Sequence, residues 1–519
     1  MMNLLSAIFL VPLLAAVLLV FIPRNYRFLI RVTALGATLL SMVLAFVMFA
    51  KFDTATAVEG FKFDYQKAWA PSLGISYHVG VDGLNLGLIV MGAIVAFAAA
   101  CVSHEIKTRE KDYYVLLLLM SGGILGAFAS LDLFFFYFFH ELALVPTFIM
   151  IGVWGRGENK NYATFKMTLY LSLGSLIALV GLVALYFESG AKTFDIVALT
   201  KHAQANPRLF TAGAQGYVFP LLLFGFGILV SLWPFHTWAP LGYGAAPTAT
   251  AMLHAGVIKK FGLYGLIRVA LPLMPEGSQS WLQQLAWLCL GNILYCGLVA
   301  SRQRDLNLLI GNSSVAHMGF AFLGIASLNL IGVTGAVMVM VAHGLLAALT
   351  FGLAGYLRQQ TGTLDMDKLG GLMRPMPFIG AAFVMAALAG CGLPGFGNFA
   401  GEIMVLFGAW GPYGLVTTFA AWGALVIGAV YMLRAVRSIA HGPLAEGLPA
   451  VADATAWRKL PFVLLLAALL AIGIWPRLLV DNIKASAGPI VKMANGPEFR
   501  AVNGLRPQTV ESQRQPQSK

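Results

Sequence analysis

Residues 376–410 read MPFIGAAFVMAALAGCGLPGFGNFAGEIMVLFGAW. The run is long enough to cross a bilayer, which takes roughly 20 mostly apolar residues. Its middle carries Pro394 among Gly392, Gly395 and Gly397, with an acid, Glu402, shortly beyond. Irregular backbone at membrane depth is tolerated only where it is buried in protein or lines a wet cavity. An apolar span broken at its centre, with a carboxylate at the break, therefore belongs inside a bundle of membrane helices. The carboxylate itself reads as a proton or ion site.

The rest of the chain repeats that apolar character. Of 519 residues, 59% are hydrophobic and 11% charged, against roughly 25% charged in a soluble domain. Apolar blocks long enough to span recur about fourteen times. The blocks that carry the argument fall near 132–154, 164–187, 217–238, 248–272, 306–329, 331–357, 376–410 and 459–481. The expected class is an all-α integral membrane protein. The opening stretch MMNLLSAIFLVPLLAAVLLVFIP lacks a basic leader and a small-residue cleavage site, so it reads as the first membrane helix. Two longer loops, 51–81 and 188–216, mix charge, Pro or Gly and aromatic residues and are expected to hold short helical or strand pieces. From about 483 the chain is polar, and its last 20 or so residues are expected to be disordered, with no further long helix along the membrane.

The net charge is +12. Nucleic acid is excluded as a partner because Lys and Arg sit in short loops rather than in a basic stripe. Those loops alternate: Arg24 and Arg27, Lys107 to Lys111, Arg156 and Lys160, Arg302 and Arg304, Arg358 to Arg374, and Arg434 to Lys459 all fall after odd-numbered segments. The positive-inside rule puts those loops in the cytoplasm and both termini outside. Cys101, Cys289, Cys296 and Cys391 lie within apolar runs at spacings that fit neither a zinc site nor an iron–sulfur cluster. No phosphate loop, nucleophile elbow or cofactor motif occurs, so no cofactor and no metal is implied.

A charge at mid-bilayer costs at least ~2.5–3.5 kcal/mol, so charged residues inside spans are the informative ones. Glu141 sits in DLFFFYFFHELALVPTFIMIGVWG beside His140 and reads as a proton-carrying carboxylate. Lys259 and Lys260 sit in HAGVIKKFGLYGLIR, with His254 a turn or so earlier; a desolvated lysine can exchange a proton. His317 in NSSVAHMGF and His343 in VMVAHGLLAALT are candidate relays. Lys166, in YATFKMTLYLSLGS, either biases Glu141 or marks a helix start. A second proline break, Pro234 with His236 in LVSLWPFHTWAP, lies in the other half of the chain. Paired broken helices in two halves are the signature of inverted-repeat transporters.

These stretches, with HVGVDGLNLGLIVM, SSVAHMGF, DMDKLGGL and LPGFGNFAGE, resemble the proton-pumping antiporter-like subunits of respiratory complex I, and among them chain M, the counterpart of mitochondrial chain 4. The resemblance runs from about residue 80 to 440. It implies fourteen helices in two inverted five-helix repeats, broken at helices 7 and 12. The corresponding divisions are residues 1–110, a first repeat over 111–273, a second over 281–438, helix 14 within 439–482, and a tail over 483–519. It implies sibling antiporter-like chains as partners in a bacterial inner membrane and electron transfer to quinone elsewhere in the complex. Residue by residue, Glu141 is similar to the segment 5 glutamate, Lys260 to the segment 8 lysine, His317 and His343 to the polar-axis histidines, and Glu402 to the segment 12 acid that marks chain M. One departure stands out. The family carries a lysine about four residues before the Trp-Pro of segment 7 and then a proline; here those positions hold Leu229 and Ser231, and Leu241, Gly242 and Tyr243 replace its Asp-Ala-His. An Mrp-type cation/proton antiporter, a hydrogenase membrane arm and a scaffold with a degenerate channel are the competing readings.

Overall fold

The computed structural model describes residues 3–206 and 209–496. Helices α1 (Leu4–Phe21) and α2 (Arg27–Lys51) lead into a three-stranded antiparallel sheet, β1 (Ala57–Val58), β2 (Phe61–Ala70) and β3 (Ile75–Val81), in that spatial order. The first half continues through α3 (Gly83–Val102), α4 (Glu110–Ala129), α5 (Leu133–Trp154), α6 (Lys160–Ser189), α7 (Ile196–Ala205), α8 (Ala212–Val230) and α9 (Trp238–Ala245). One long span follows, assembled from α10 (Thr248–Leu253), α11 (Lys260–Gly265) and α12 (Leu271–Leu273), joined by π-turns at His254–Ile258 and Leu266–Ala270. The second half holds α13 (Pro275–Leu290), α14 (Cys296–Arg302), α15 (Leu306–Ala326), α16 (Leu330–Thr361), α17 (Pro377–Gly390), α18 (Gly397–Trp410), α19 (Gly414–Trp422) and α20 (Ala429–Ala440). Helices α21 (Ala456–Ile474) and α22 (Arg477–Ala494) close the described chain.

Among the described residues, twelve helices are long and apolar enough to cross a membrane. The two remaining expected spans fail that measure because they are not single straight helices. The eighth is interrupted at Lys259, a turn residue between the π-turn at His254–Ile258 and α11. The twelfth is two pieces, α17 and α18, with Pro394 in the connection between them. The seventh is broken too: α8 stops at Ser231, whose φ of 71° is left-handed, and the chain turns through Pro234 before α9 starts at Trp238.

The molecule is built inside out relative to a soluble protein. Apolar side chains of the peripheral helices stay exposed, among them Phe28, Leu39, Phe165, Leu176, Trp457 and Val463, as lipid-facing surfaces require. The centre is α15 and α16, the latter buried over its whole apolar window. Small residues let α18 approach α16 closely: a Cβ on Gly401 would lie 2.7 Å from the Val339 nitrogen. That contact brings the helix bearing Glu402 against the helix bearing His343.

One sequence expectation needs correction. The polar stretch after about 483 is not free of regular structure, because α22 runs to Ala494. Its apolar positions Leu479, Val480, Ile483, Ala487 and Ile490 are buried on one side, while Asp481, Lys484 and Ala485 face out. A half-buried amphipathic helix needs no unbroken apolar run. The tail expected to be disordered falls beyond 496, outside the described residues. The 51–81 loop holds the short strand pieces expected of it, paired as the β1–β3 sheet, beside an otherwise helical membrane protein.

The sheet is fastened by an ionic cluster. His78 of β3 faces Asp195, the N-cap of α7, with one ring nitrogen, and Asp64 of β2 at 2.8 Å with the other. Asp132, the N-cap of α5, accepts from the Ser76 amide at 2.9 Å. Burial works against charge on the imidazole, but the Asp195 and Asp64 carboxylates outweigh it and raise the His78 pKa above the ordinary value. A raised folded pKa makes the stabilisation fully present below the unfolded pKa of roughly 6.5 and lost as pH climbs through the folded value. Amide exchange in β3, corrected for intrinsic rate, is therefore expected to accelerate on alkalinisation, and His78→Gln is expected to remove that pH dependence. Unchanged β3 protection across the same range would refute the clamp.

Candidate proton pathway

Six ionisable side chains from the expected set are buried along the middle of the bundle. His254, Lys259, Lys260, His317, His343 and Glu402 are each 6% exposed or less. Lys260 sits where a π-turn has just ended. A π-turn carries an extra residue per turn and is frequent at functional sites. The Lys260 ammonium donates to the Ala255 carbonyl at 2.5 Å and lies 2.8 Å from His343 Nδ1. His343 lies beside His317, ring centroids 5.4 Å apart. The His317 Nδ1 is 2.7 Å from the Ser313 carbonyl. A carbonyl only accepts, so Nδ1 carries the hydrogen and Nε2 is left facing Glu402 Oε1 at 3.6 Å. A proton added at Nε2 is thus directed at a carboxylate.

Lys259 points elsewhere. Its ammonium is 3.4 Å from Ser314 Oγ and 5.6 Å from the centre of the Tyr243 ring. Tyr243 in turn bonds His254 Nδ1 at 3.2 Å. The lysine pair therefore faces two ways, Lys260 towards the histidine row and Lys259 towards the aromatic pocket of His254. His236, just past Pro234, is buried beside Tyr295, ring centroids 5.6 Å apart, and belongs to neither row.

The Glu141 end is less enclosed. Its side chain is 31% exposed and hydrogen-bonds Ser175 Oγ, which also pairs with the Tyr137 hydroxyl at 2.8 Å. His140 Nδ1 is 3.4 Å from Glu141, and the His140 ring stacks on Phe261, the residue after Lys260, at 3.8 Å. Lys166 makes no ion pair with Glu141; it is half-buried on α6, its ammonium 5.7 Å from the Tyr162 ring. Leu229 is buried and supplies no charge there.

Residues 130–430 match the family model described as NADH:quinone oxidoreductase/Mrp antiporter, TM. NADH-quinone oxidoreductase subunit M of Rhodobacter capsulatus is 34% identical over 95% of this chain and 97% of the relative. The chain belongs to the subunit M/chain 4 family. NADH-ubiquinone oxidoreductase chain 4 of Arabidopsis thaliana is 31% identical over 94% of this chain and 97% of its own length. The fold agrees with one chain of respiratory complex I from Thermus thermophilus, with a TM-score of 0.86 and 28% identity over 95% of this chain and 100% of that one. A chain of the Mrp complex from Dietzia sp. shares the fold at a TM-score of 0.81 and 20% identity, over 95% of this chain and 100% of that one.

Within this family member, the sequence pointed to the Lys260–His343–His317–Glu402 row and the geometry brings those four together. The geometry does not connect Lys166 to Glu141. The sequence reading gave His140 no part, although its stacking on Phe261 makes it the group on α5 that reaches towards the lysines. The signal was present: His140 is a second ionisable residue in the same apolar run as Glu141.

Proposed function

We propose that this chain is the proton-translocating membrane subunit of an NADH-quinone oxidoreductase, coupled to electron transfer from NADH to quinone in partner subunits and seated beside sibling antiporter-like chains. The observation that carries the reading is the continuous Lys260–His343–His317–Glu402 row, with neighbouring groups near enough to pass protons directly or through one water. We also read residues 111–273 and 281–438 as two inverted repeats, supported by the paired breaks around Pro234 and Pro394, and both termini as lying on the outer face of a bacterial cell membrane, supported by the basic loops on the opposite side. The site residues Glu141, His140, His254 and Lys259 form the input side of the pathway in this reading. No bond-making step belongs to the chain.

A specific observation shapes the input end. Glu141 has a histidine and a serine for partners and no lysine, where the family pattern supplies one. The row from Lys260 to Glu402 is therefore the conducting part, without need of Glu141. In the assembled complex, Glu402→Gln is expected to lower the protons moved per electron while quinone reduction continues, and Glu141→Gln is expected to leave that ratio unchanged. Full pumping by Glu402→Gln would refute the translocation reading. Equal losses in the two variants would refute the asymmetry.

A further inference from the structure

Between His317 and Glu402 lies a gap. The 3.6 Å separation of His317 Nε2 and Glu402 Oε1 exceeds a hydrogen bond. Glu402 Oε1 is buried and has no hydrogen-bond partner, in a residue that is 94% enclosed. A buried acceptor of that kind costs free energy unless something satisfies it. Both side chains line a small cavity together with Gly390, Gly423, Ala424, Gly428 and Tyr431. The cavity offers about 10 Å³ for water centres, the space of a single molecule.

Tyr431 closes this cavity. Its hydroxyl accepts from Ser313 Oγ at 3.2 Å, which commits a lone pair and leaves its own hydrogen to donate. Ser313 Oγ lies 3.4 Å from His317 Nδ1, so the hydroxyl is tied to the same histidine. A water in the cavity then meets three polar groups: the Tyr431 O–H, the Glu402 carboxylate and His317 Nε2. Two to four such partners are what a stable buried water needs. Residues Gly423–Gly428, immediately before α20, form a π-turn that sets the glycine wall of the cavity.

We propose that Tyr431 is a positioning residue for proton transfer: it orients a single water that carries the proton between His317 and Glu402. The inference rests on the translocation reading above. In the forward step the Nε2–H bond of the imidazolium breaks and the water takes that proton. One of the water's own O–H bonds breaks in the same movement, and its proton joins the carboxylate. Neutral imidazole, water and a carboxylic acid result, with no change in total charge and no electron transferred. Reversal restores the start. Tyr431 keeps its proton throughout.

Two substitutions separate the relay from mere packing. Tyr431→Phe removes the hydroxyl and keeps the ring. Gly428→Ala adds a methyl 3.9 Å from the Tyr431 hydroxyl, 3.7 Å from the Gly423 carbonyl and 4.0 Å from the Gly390 carbonyl. These are ordinary contacts, so the methyl fits without strain but takes the water's place. It also replaces a glycine within a helix, which does not endanger folding. Both variants, purified in the whole complex, are expected to reduce quinone normally and to lose this chain's share of the protons pumped per electron. In infrared difference spectra, the Glu402 acid C=O band, assigned by its disappearance in Glu402→Gln, is expected to move to higher frequency in both as its hydrogen bond is lost. Wild-type pumping and an unmoved band in both variants, alongside a pumping defect in Glu402→Gln, would overturn the relay and leave the translocation reading standing. Wild-type pumping in all three would overturn both.

Discussion

Lys260→Met is expected to stop proton movement through this chain while making the protein as stable as the wild type or more so. The two effects have one cause. Lys260 is fully buried, and its ammonium is held by a carbonyl and an imidazole rather than by a carboxylate. Keeping a charge there works against desolvation. Methionine has similar length and no charge, and replacing buried ionic groups with apolar ones of like volume is often neutral or stabilising by about 1–4 kcal/mol. The proton path has no such compensation. Among the described residues no other cation bonds His343, and Lys259, though adjacent, points to Ser314. Removing a positioned proton-transfer group costs ~10²–10⁴ in rate, which takes this chain's share of pumping below detection. Lys259→Met is expected to cost much less. Pumping per electron by the reconstituted complex, read beside its thermal melt, checks the pair. A Lys260→Met complex that melts earlier and pumps normally would contradict both halves of the argument.

The same logic explains what could be read from sequence. Lys260, His317, His343 and Glu402 were legible because ionisable groups in apolar spans are costly and so need a reason to be there. The breaks at Pro234 and Pro394 were legible because proline and glycine interrupt a helix whatever surrounds them. Direction around a helix was not. Lys166 and Glu141 sit one segment apart and look like partners, yet the Lys166 ammonium lies by the Tyr162 ring and Glu141 turns to Ser175. The π-turns at His254–Ile258 and Gly423–Gly428 were hidden too, since an extra residue per turn has no sequence marker of its own. Tyr431 belongs with them. One tyrosine within an apolar span carries no mark of its role, and only the fold shows it lining a cavity with His317 and Glu402. Helix α22 escaped because its burial is periodic rather than continuous.

Arg268→Met is expected to destabilise the protein by about 3–5 kcal/mol, the cost of stranding one partner of a buried ion pair. Arg268 donates to Asp82 Oδ1 at 2.5 Å and to the Tyr264 hydroxyl at 3.1 Å, and Arg268 and Asp82 side chains are each 6% exposed. Asp82 is also the N-cap of α3, accepting from the Leu84 amide at 3.0 Å in a capping box with Asn85. The pair thus joins the start of α3 to the span that carries Lys259 and Lys260. That span has two π-turns and so lacks the uniform i→i−4 ladder that fixes a straight helix along its axis; an anchor two turns beyond Lys260 holds the lysines at the level of His343. Asp82→Asn keeps an N-capping side chain, since Asn caps about as well as Asp, so its cost isolates the stranded arginine. The double variant Asp82→Asn with Arg268→Met strands neither charge and is expected to recover most of the loss, ending within about 1–2 kcal/mol of wild type once the remaining hydrogen bonds are counted. A thermodynamic cycle over the three variants, measured by denaturation of the purified chain in detergent, gives the coupling directly. Simple additivity of the two single losses would mean that the ion pair does not anchor the lysine-bearing span, and the level of Lys260 would then be set by packing alone.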